Sequence, residues 1–254
     1  MQNMCCDHDK TMELCQLAGR IMLSAGGETY RVEDTISRIA IACGTKAESY
    51  VTPTGIFITL YDGDNKASTA VTRVTHRTIN LDQVTAVNGI SRDLFMGSIG
   101  SEEAYRMLHD VANAPPGYSS LFINVCAGIA SGSFAYLFGG TLIDVVLAGI
   151  TGTFVNIIFN FFLNRQATVF LSTFIAALFA GIVALVAAIP GLAIQPDKII
   201  IGGIMPLLPG VALTNGVRDM IAGDLVSGVA RTVEAILIAA AIAVGVIIVL
   251  AFVI

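Results

Sequence analysis

The groups able to do chemistry in this chain are concentrated where apolar sequence is interrupted. The stretch GGIMPLLPGVALTNGVRD, Gly202 to Asp219, holds Pro206 and Pro209, four glycines, Thr214, Asn215 and the pair Arg218 and Asp219. Proline in a helix interior removes a backbone donor and clashes with the preceding turn, at a cost of ~3 kcal/mol or more. Two prolines and Gly210 leave carbonyls without helical partners. At membrane depth such backbone persists only where it is buried in protein or lines an aqueous cavity. The break also exposes the positive end of a half-helix, which suits a carboxylate, and Thr214 and Asn215 add a hydroxyl and an amide one turn further on. A kink absorbed by neighbouring helices is the plainer reading. The polar run after the break favours a discontinuous helix that lines a substrate site.

Other polar groups lie in apolar surroundings, where they are costly and therefore informative. Asn156 and Asn160 follow Gly152 at four-residue spacing, so they share a helix face as substrate contacts or as packing glue. Asn124, Gly128, Ser131 and Gly132 form a small, partly polar face of the kind that lets helices approach closely. Asp144 stands near a helix N-terminus, where the dipole favours an acid; a proton-carrying role is the alternative. Arg218, Asp219, Asp224, Arg231 and Glu234 cluster in sequence as candidates for proton coupling or gating, with Arg231 and Glu234 spaced to form a local pair. Snorkelling interfacial charge is the competing account of the arginines.

The elements that must position these groups follow from an uneven composition. The 254 residues are 55% hydrophobic and 13% charged, with a net charge of −5, and soluble domains carry about twice that share of charge. Residues 1–116 hold ten of the fourteen Lys/Arg, fourteen of the nineteen Asp/Glu and all three histidines. A soluble domain over 1–116 and a membrane domain over 117–254 are expected. The acidic balance argues against nucleic acid as a partner.

In the first half the apolar spacing predicts helices over Asp9–Leu23 and Glu28–Ala42, the second ended by Gly44. An Asp34–Arg38 pair is expected on the outer face of the second helix. Residues 48–61 and 67–79 are rich in Val, Ile, Thr, Tyr and Phe, and the turn DGDNK between them signals a hairpin. Helices are expected near 82–97 and 101–113, the latter ended by Pro115 and Pro116. His76 falls in the second strand and His109 on the last helix. Neither belongs to a GxSxG or HExxH motif, so surface histidines are preferred to a hydrolase site. The five cysteines, Cys5, Cys6, Cys15, Cys43 and Cys126, form no disulfide framework and fit a reducing compartment. The tract Cys5-Cys6-Asp7-His8 reads as a frayed terminus rather than a metal site. The start has no signal-peptide pattern.

In the second half five apolar spans approach the roughly twenty residues that a bilayer requires: about 119–138, 142–163, 168–189, 199–217 and 230–253. The expected connection between the last two is the polar stretch 218–231. Arg165, Arg218 and Arg231 fall on one side and Lys198 on the other, which puts the N-terminus in the cytoplasm and the C-terminus outside. An odd number of spans suits one half of an inverted-repeat secondary transporter. With no GxxxxGK[ST] motif for ATP, coupling to the proton gradient is expected, with Glu234, Asp219 and Asp144 as candidate carriers.

Three motifs in order, SAGGETYRVEDTISRIA at 24–40, TPTGIFITL at 52–60 and MPLLPGVALTNGVRDMIAGDLVSGVARTVEAIL at 205–237, resemble the threonine/serine exporter family. The resemblance runs over most of the chain. It implies an N-terminal cytoplasmic domain followed by membrane spans, and secondary export of small amino acids, with bacterial two-component relatives linked to succinate. It places family positions on Gly27, Glu28, Thr29, Tyr30, Arg31 and Glu33, and on Pro206, Pro209, Gly210, Asn215, Arg218, Asp219, Gly223 and Asp224. Fused members have about ten spans, so five imply the large subunit of the split form, partnered by a small membrane protein related to the missing half.

The expectation is therefore an α-helical multi-pass protein of the bacterial plasma (inner) membrane, with a cytoplasmic α+β domain and five transmembrane helices, the fourth discontinuous. It is a transporter subunit and not an enzyme. It takes a small carboxylate-bearing substrate, needs no cofactor or metal, and has a homo-oligomer as a further possibility. The alternatives are a membrane-tethered hydrolase and a regulatory or assembly subunit of a separate transporter.

Overall fold

The computed structural model describes residues 7–61, 67–115, 117–188 and 195–251. The expected turn DGDNK and the pair Cys5-Cys6 lie outside the described residues. Two compact units form: Met1–Pro115 with Val211–Thr232, and Pro116–Gly210 with Val233–Ile254.

The first unit starts with α1 (His8–Ser24) and α2 (Thr29–Ala42), followed by the strands β1 (Lys46–Thr52), β2 (Gly55–Tyr61) and β3 (Ala67–Arg73). The strands make an antiparallel sheet in the order β1-β2-β3. The run 48–61, expected as one strand, is a hairpin in itself: β1 and β2 pair from Lys46↔Tyr61 to Thr52↔Gly55. Pro53 cannot donate to a ladder, so the chain turns there. β3 stops at Arg73, and His76 lies exposed in the loop after it rather than in a strand. Then come α3 (Leu81–Phe95) and α4 (Ser101–Asn113). Alternation on β2 turns Ile56, Ile58 and Leu60 inward, where they join Leu14, Ala18 and Met22 of α1, Val32, Ile36 and Ile39 of α2, and Val87 and Leu94 of α3. The expected Asp34–Arg38 pair is present, and Arg38 also reaches Asn88 and Ser91 of α3.

The second unit contains α5 (Ser120–Leu137), α6 (Leu142–Asn164), α7 (Val169–Ala187) and α8 (Pro196–Ile204), with a 3-10 turn at Met205–Leu207. α9 (Gly210–Ala222) and α10 (Leu225–Leu250) follow; most of α9 and the start of α10 belong to the first unit, and the rest of α10 to the second. Small residues let the backbones of the second unit approach closely. A Cβ on Gly132 would lie 2.9 Å from the Val145 carbonyl, and one on Gly202 would lie 2.6 Å from the Ser131 carbonyl. Ala176, Ala180, Ile199, Leu207, Ile238 and Ile242 form the interior. Outward-facing Leu121, Val146, Ile150, Ile236 and Ile247 leave long apolar flanks, as a lipid environment requires.

Four helices are long and apolar enough to cross a membrane: α5, α6, α7 and α10. The pair Pro196–Leu207 and Gly210–Ala222 makes a fifth if the two are one crossing. Expected spans and helices agree closely for the first three, but not at the end. The stretch 218–231, expected as a polar connection, is helical apart from Gly223 and Asp224. Gly223 has φ 101, a left-handed conformation that ends α9 at no steric cost. Arg218, Asp219 and Arg231 thus sit on helix faces, and Asp224 lies in the break between α9 and α10.

Candidate functional site

The first unit buries a polar network that joins two distant parts of the sequence. It begins where α1 ends. Gly26 has φ +85, and a Cβ there would lie 3.1 Å from the Thr78 carbonyl, so the turn needs glycine. The turn leaves two carbonyls without partners in a helix or strand. Asn215 Nδ2 donates to the Gly26 carbonyl at 3.0 Å, and Arg231 Nη2 donates to that of Gly27 at 2.9 Å.

The next residues begin α2, whose first backbone N–H groups need acceptors from outside the helix. Glu28 stands at the N-cap but makes no capping bond with its side chain. Asp219 of α9 does this instead. Its Oδ1 accepts from the Thr29 backbone N–H at 3.1 Å and its Oδ2 from the Thr29 hydroxyl at 3.0 Å. Arg231 Nε lies 3.2 Å from the same Oδ2. Thr29 and Asp219 are fully buried and Arg231 nearly so. A buried carboxylate at a helix N-terminus, matched by a guanidinium, satisfies the rule that buried charge must be paired. Glu28 points the other way and takes Arg218 Nη1 at 2.5 Å and Arg31 Nε at 3.0 Å.

A second contact lies at the sheet edge. The Val51 N–H donates to Glu33 Oε1 at 2.9 Å, and the Val51 carbonyl accepts from the Ser227 hydroxyl at 3.0 Å. Both open backbone groups of this edge position are thereby satisfied. Glu33 is pushed above the ordinary carboxylate range by burial, against the Val51 hydrogen bond, and by the charges of Asp224 and Asp219. Asp224 is raised by burial and by Asp219.

The structure therefore brings together Glu28, Thr29, Arg31, Glu33, Asn215, Arg218, Asp219, Asp224 and Arg231 from the expected set. Tyr30 is partly exposed, with a side-chain hydrogen bond to Arg31. Gly26, Val51 and Ser227 were not singled out from sequence. The first and second act through backbone atoms, which side-chain chemistry does not announce. The spacing of Asn215, Arg218 and Asp219 at i, i+3 and i+4 does put all three on one helix face.

The remaining candidates are elsewhere. Asp144 closes a capping box with Thr141, the N-cap of α6. It accepts from the Thr141 backbone N–H at 2.8 Å and hydroxyl at 2.7 Å, and from the Gln195 backbone N–H at 3.0 Å. Asn156 Nδ2 donates to Asn124 Oδ1 at 2.7 Å and so links α6 to α5, while Asn160 donates to the Asn156 carbonyl. Pro206 lies in the 3-10 turn and Pro209 just before α9, which starts at Gly210; Thr214 is in the first turns of α9, and Glu234 is on α10. A groove of about 750 Å³ along α5 and α6, lined by Gly128, Gly132, Tyr136 and Gly149 among others, contains none of the expected site residues. His109 is exposed beside Asn113. Among the described residues no group of His, Cys, Asp or Glu is placed to hold a metal ion.

The segments that meet in the network, 26–33 and 215–231, are parts of one family pattern. The family model described as "Putative threonine/serine exporter" matches residues 13–253. The chain belongs to the threonine/serine exporter family. This is a family of membrane exporters and not of enzymes. The chain is 27% identical over 245 residues to a "Probable threonine/serine exporter" of Mycobacterium tuberculosis, covering 94% of this chain and 45% of that protein. It is 28% identical over 252 residues to the "Threonine/serine exporter" of Corynebacterium glutamicum, covering 94% and 51%. With the "Probable succinate transporter subunit YjjP" of Escherichia coli the identity is 26% over 242 residues, covering 92% and 91%. This exporter-family chain thus spans about half the length of the first two relatives and nine-tenths of the third. No solved structure matches it.

Proposed function

We propose that the chain is one subunit of a two-part secondary exporter in the bacterial inner membrane, moving a small carboxylate-bearing metabolite outward with the proton gradient. The observation that carries this reading is the buried network itself, in which the two family motif segments meet around Asp219. The name of one relative supports the subunit reading: a protein named as a transporter subunit is matched over 91% of its length, whereas the two named as exporters are matched over 45% and 51% of theirs. The partner in this reading is a small membrane protein, related to the part of the longer relatives that lies outside the match. The substrate is threonine or serine, as the names of the two exporters suggest, or a dicarboxylate such as succinate, as the subunit's name suggests.

In this reading the chain crosses the membrane five times, with Pro206, Pro209 and Gly210 forming a break in the fourth crossing that contacts substrate. Basic residues support the orientation: Arg165, Arg218 and Arg231 mark the cytoplasmic side, leaving the C-terminus outside. The network around Asp219 acts as a gate, because a latch made of buried polar contacts has two discrete states.

The test is efflux of labelled threonine, serine and succinate from proteoliposomes, with and without an imposed pH gradient, using this chain alone and then with the small subunit. Gradient-dependent efflux of one substrate, abolished by Pro206→Ala with Pro209→Ala, is expected from the pair. Silence in both preparations of folded protein overturns the exporter reading in favour of a regulatory subunit.

A further inference from the structure

The network is not balanced in charge around Glu28. Each oxygen of this carboxylate holds a different guanidinium: Arg218 Nη1 lies 2.5 Å from Oε1 and Arg31 Nε lies 3.0 Å from Oε2. Glu28 is 9% exposed in its side chain, while Arg31 and Arg218 are 37% and 55% exposed. One buried carboxylate thus fixes two outward-reaching cations. Asp219 does not offset the excess, because it is matched by Arg231 and occupied by Thr29. Glu33 and Asp224 are the other acids of the network; with them the whole network sums to −4 + 3, or −1, so the positive excess is local to Glu28 and its two arginines. The local sum at Glu28, Arg31 and Arg218 is −1 + 1 + 1, or one net positive charge.

The donors are as informative as the charge. A guanidinium has five N–H donors in a planar fork that fits a carboxylate through two parallel bonds. Among the described residues Arg218 uses Nη1 on Glu28 and keeps Nε and Nη2, and Arg31 uses Nε on Glu28, hydrogen-bonds Tyr30 and keeps further donors. Glu28 sets the spacing of the two forks in advance, which reduces the ordering cost of binding between them.

We propose that Arg31 and Arg218, held apart by Glu28, form a binding site for a small dicarboxylate, one carboxylate at each guanidinium. A zwitterion binds more weakly, because it offers one carboxylate to two guanidinium groups and its ammonium group is a donor where both forks need acceptors. The binding stands independently of export. That the bound anion is the cargo rests on the exporter reading.

The experiment is thermal unfolding of the full chain in detergent, titrated with succinate, threonine or sodium phosphate at constant ionic strength. Succinate is expected to raise the midpoint saturably, and threonine and phosphate to do so far less. Arg31→Gln and Arg218→Gln abolish the rise. Arg31→Lys and Arg218→Lys, which keep the charge but lose the fork, weaken apparent affinity by about tenfold each. A succinate-induced rise unchanged in the glutamine variants, even with a lowered baseline midpoint, reduces the arginines to a structural role and overturns the proposal. So does an equal rise with phosphate, or no saturable rise with any ligand. Succinate-dependent stabilisation without efflux in the proteoliposome assay leaves the site standing and removes only the exporter reading.

Discussion

Asp219 is the residue on which the network depends, because one carboxylate closes the start of α2 and neutralises Arg231. Asp219→Ala removes the carboxylate 3.2 Å from the nearly buried Arg231 guanidinium, and loss of one partner of a buried pair costs about 3–5 kcal/mol. Urea unfolding of the variant should show a loss of this size, and hydrogen exchange should speed up at residues 26–31. Glu33 and Asp224 supply a prediction of opposite sense. Burial, then nearby carboxylates, hold them above their ordinary values of 4.5 and 3.8. A carboxyl raised on folding contributes stability below its unfolded value and loses it as pH rises through the folded value. Glu33→Gln and Asp224→Asn should therefore gain on the wild type as pH climbs from about 4.5. Unfolding midpoints at a series of pH values between 4 and 8 test this, and a constant or shrinking difference refutes it.

At the scale of elements, glycines separate close helix contact from local freedom. A Cβ on Gly202 would sit 2.6 Å from the Ser131 carbonyl and 2.9 Å from the Ala148 Cβ, whereas one on Gly210 meets nothing within 4 Å. Gly202→Ala must push α8 away from α5 and α6, and overpacking of this kind typically costs about 1–3 kcal/mol. Gly210→Ala should be tolerated. Detergent-solubilised yield and thermal midpoint of the two variants should differ in that order. The same scale shows why the sequence reading of 218–231 failed. Charged residues and two glycines look like a loop when hydropathy is averaged along the chain, but Asn215, Arg218, Asp219, Ser227 and Arg231 find partners in 26–51. Partners so far away in sequence have no effect on local periodicity.

For the whole molecule, the prediction is that this chain alone transports poorly or not at all, and that adding the small subunit restores gradient-dependent efflux. Efflux from the single chain at the rate of the pair would refute the split form. The sequence by itself determined the membrane character, the helical class, the approximate helices and the family, because these follow from composition, apolar period and contiguous motifs. It also pointed to most members of the candidate site, since charged groups beside apolar runs are conspicuous. Only the tertiary structure decided their pairing. Glu28 holds Arg31 and Arg218, Asp219 caps α2, Arg231 turns to Asp219 and Gly27, Asp144 closes a capping box and Asn156 links two helices. The reason is physical: a charge in low dielectric must find an opposite charge or a dipole, and which one it finds depends on what the fold brings within about 3 Å.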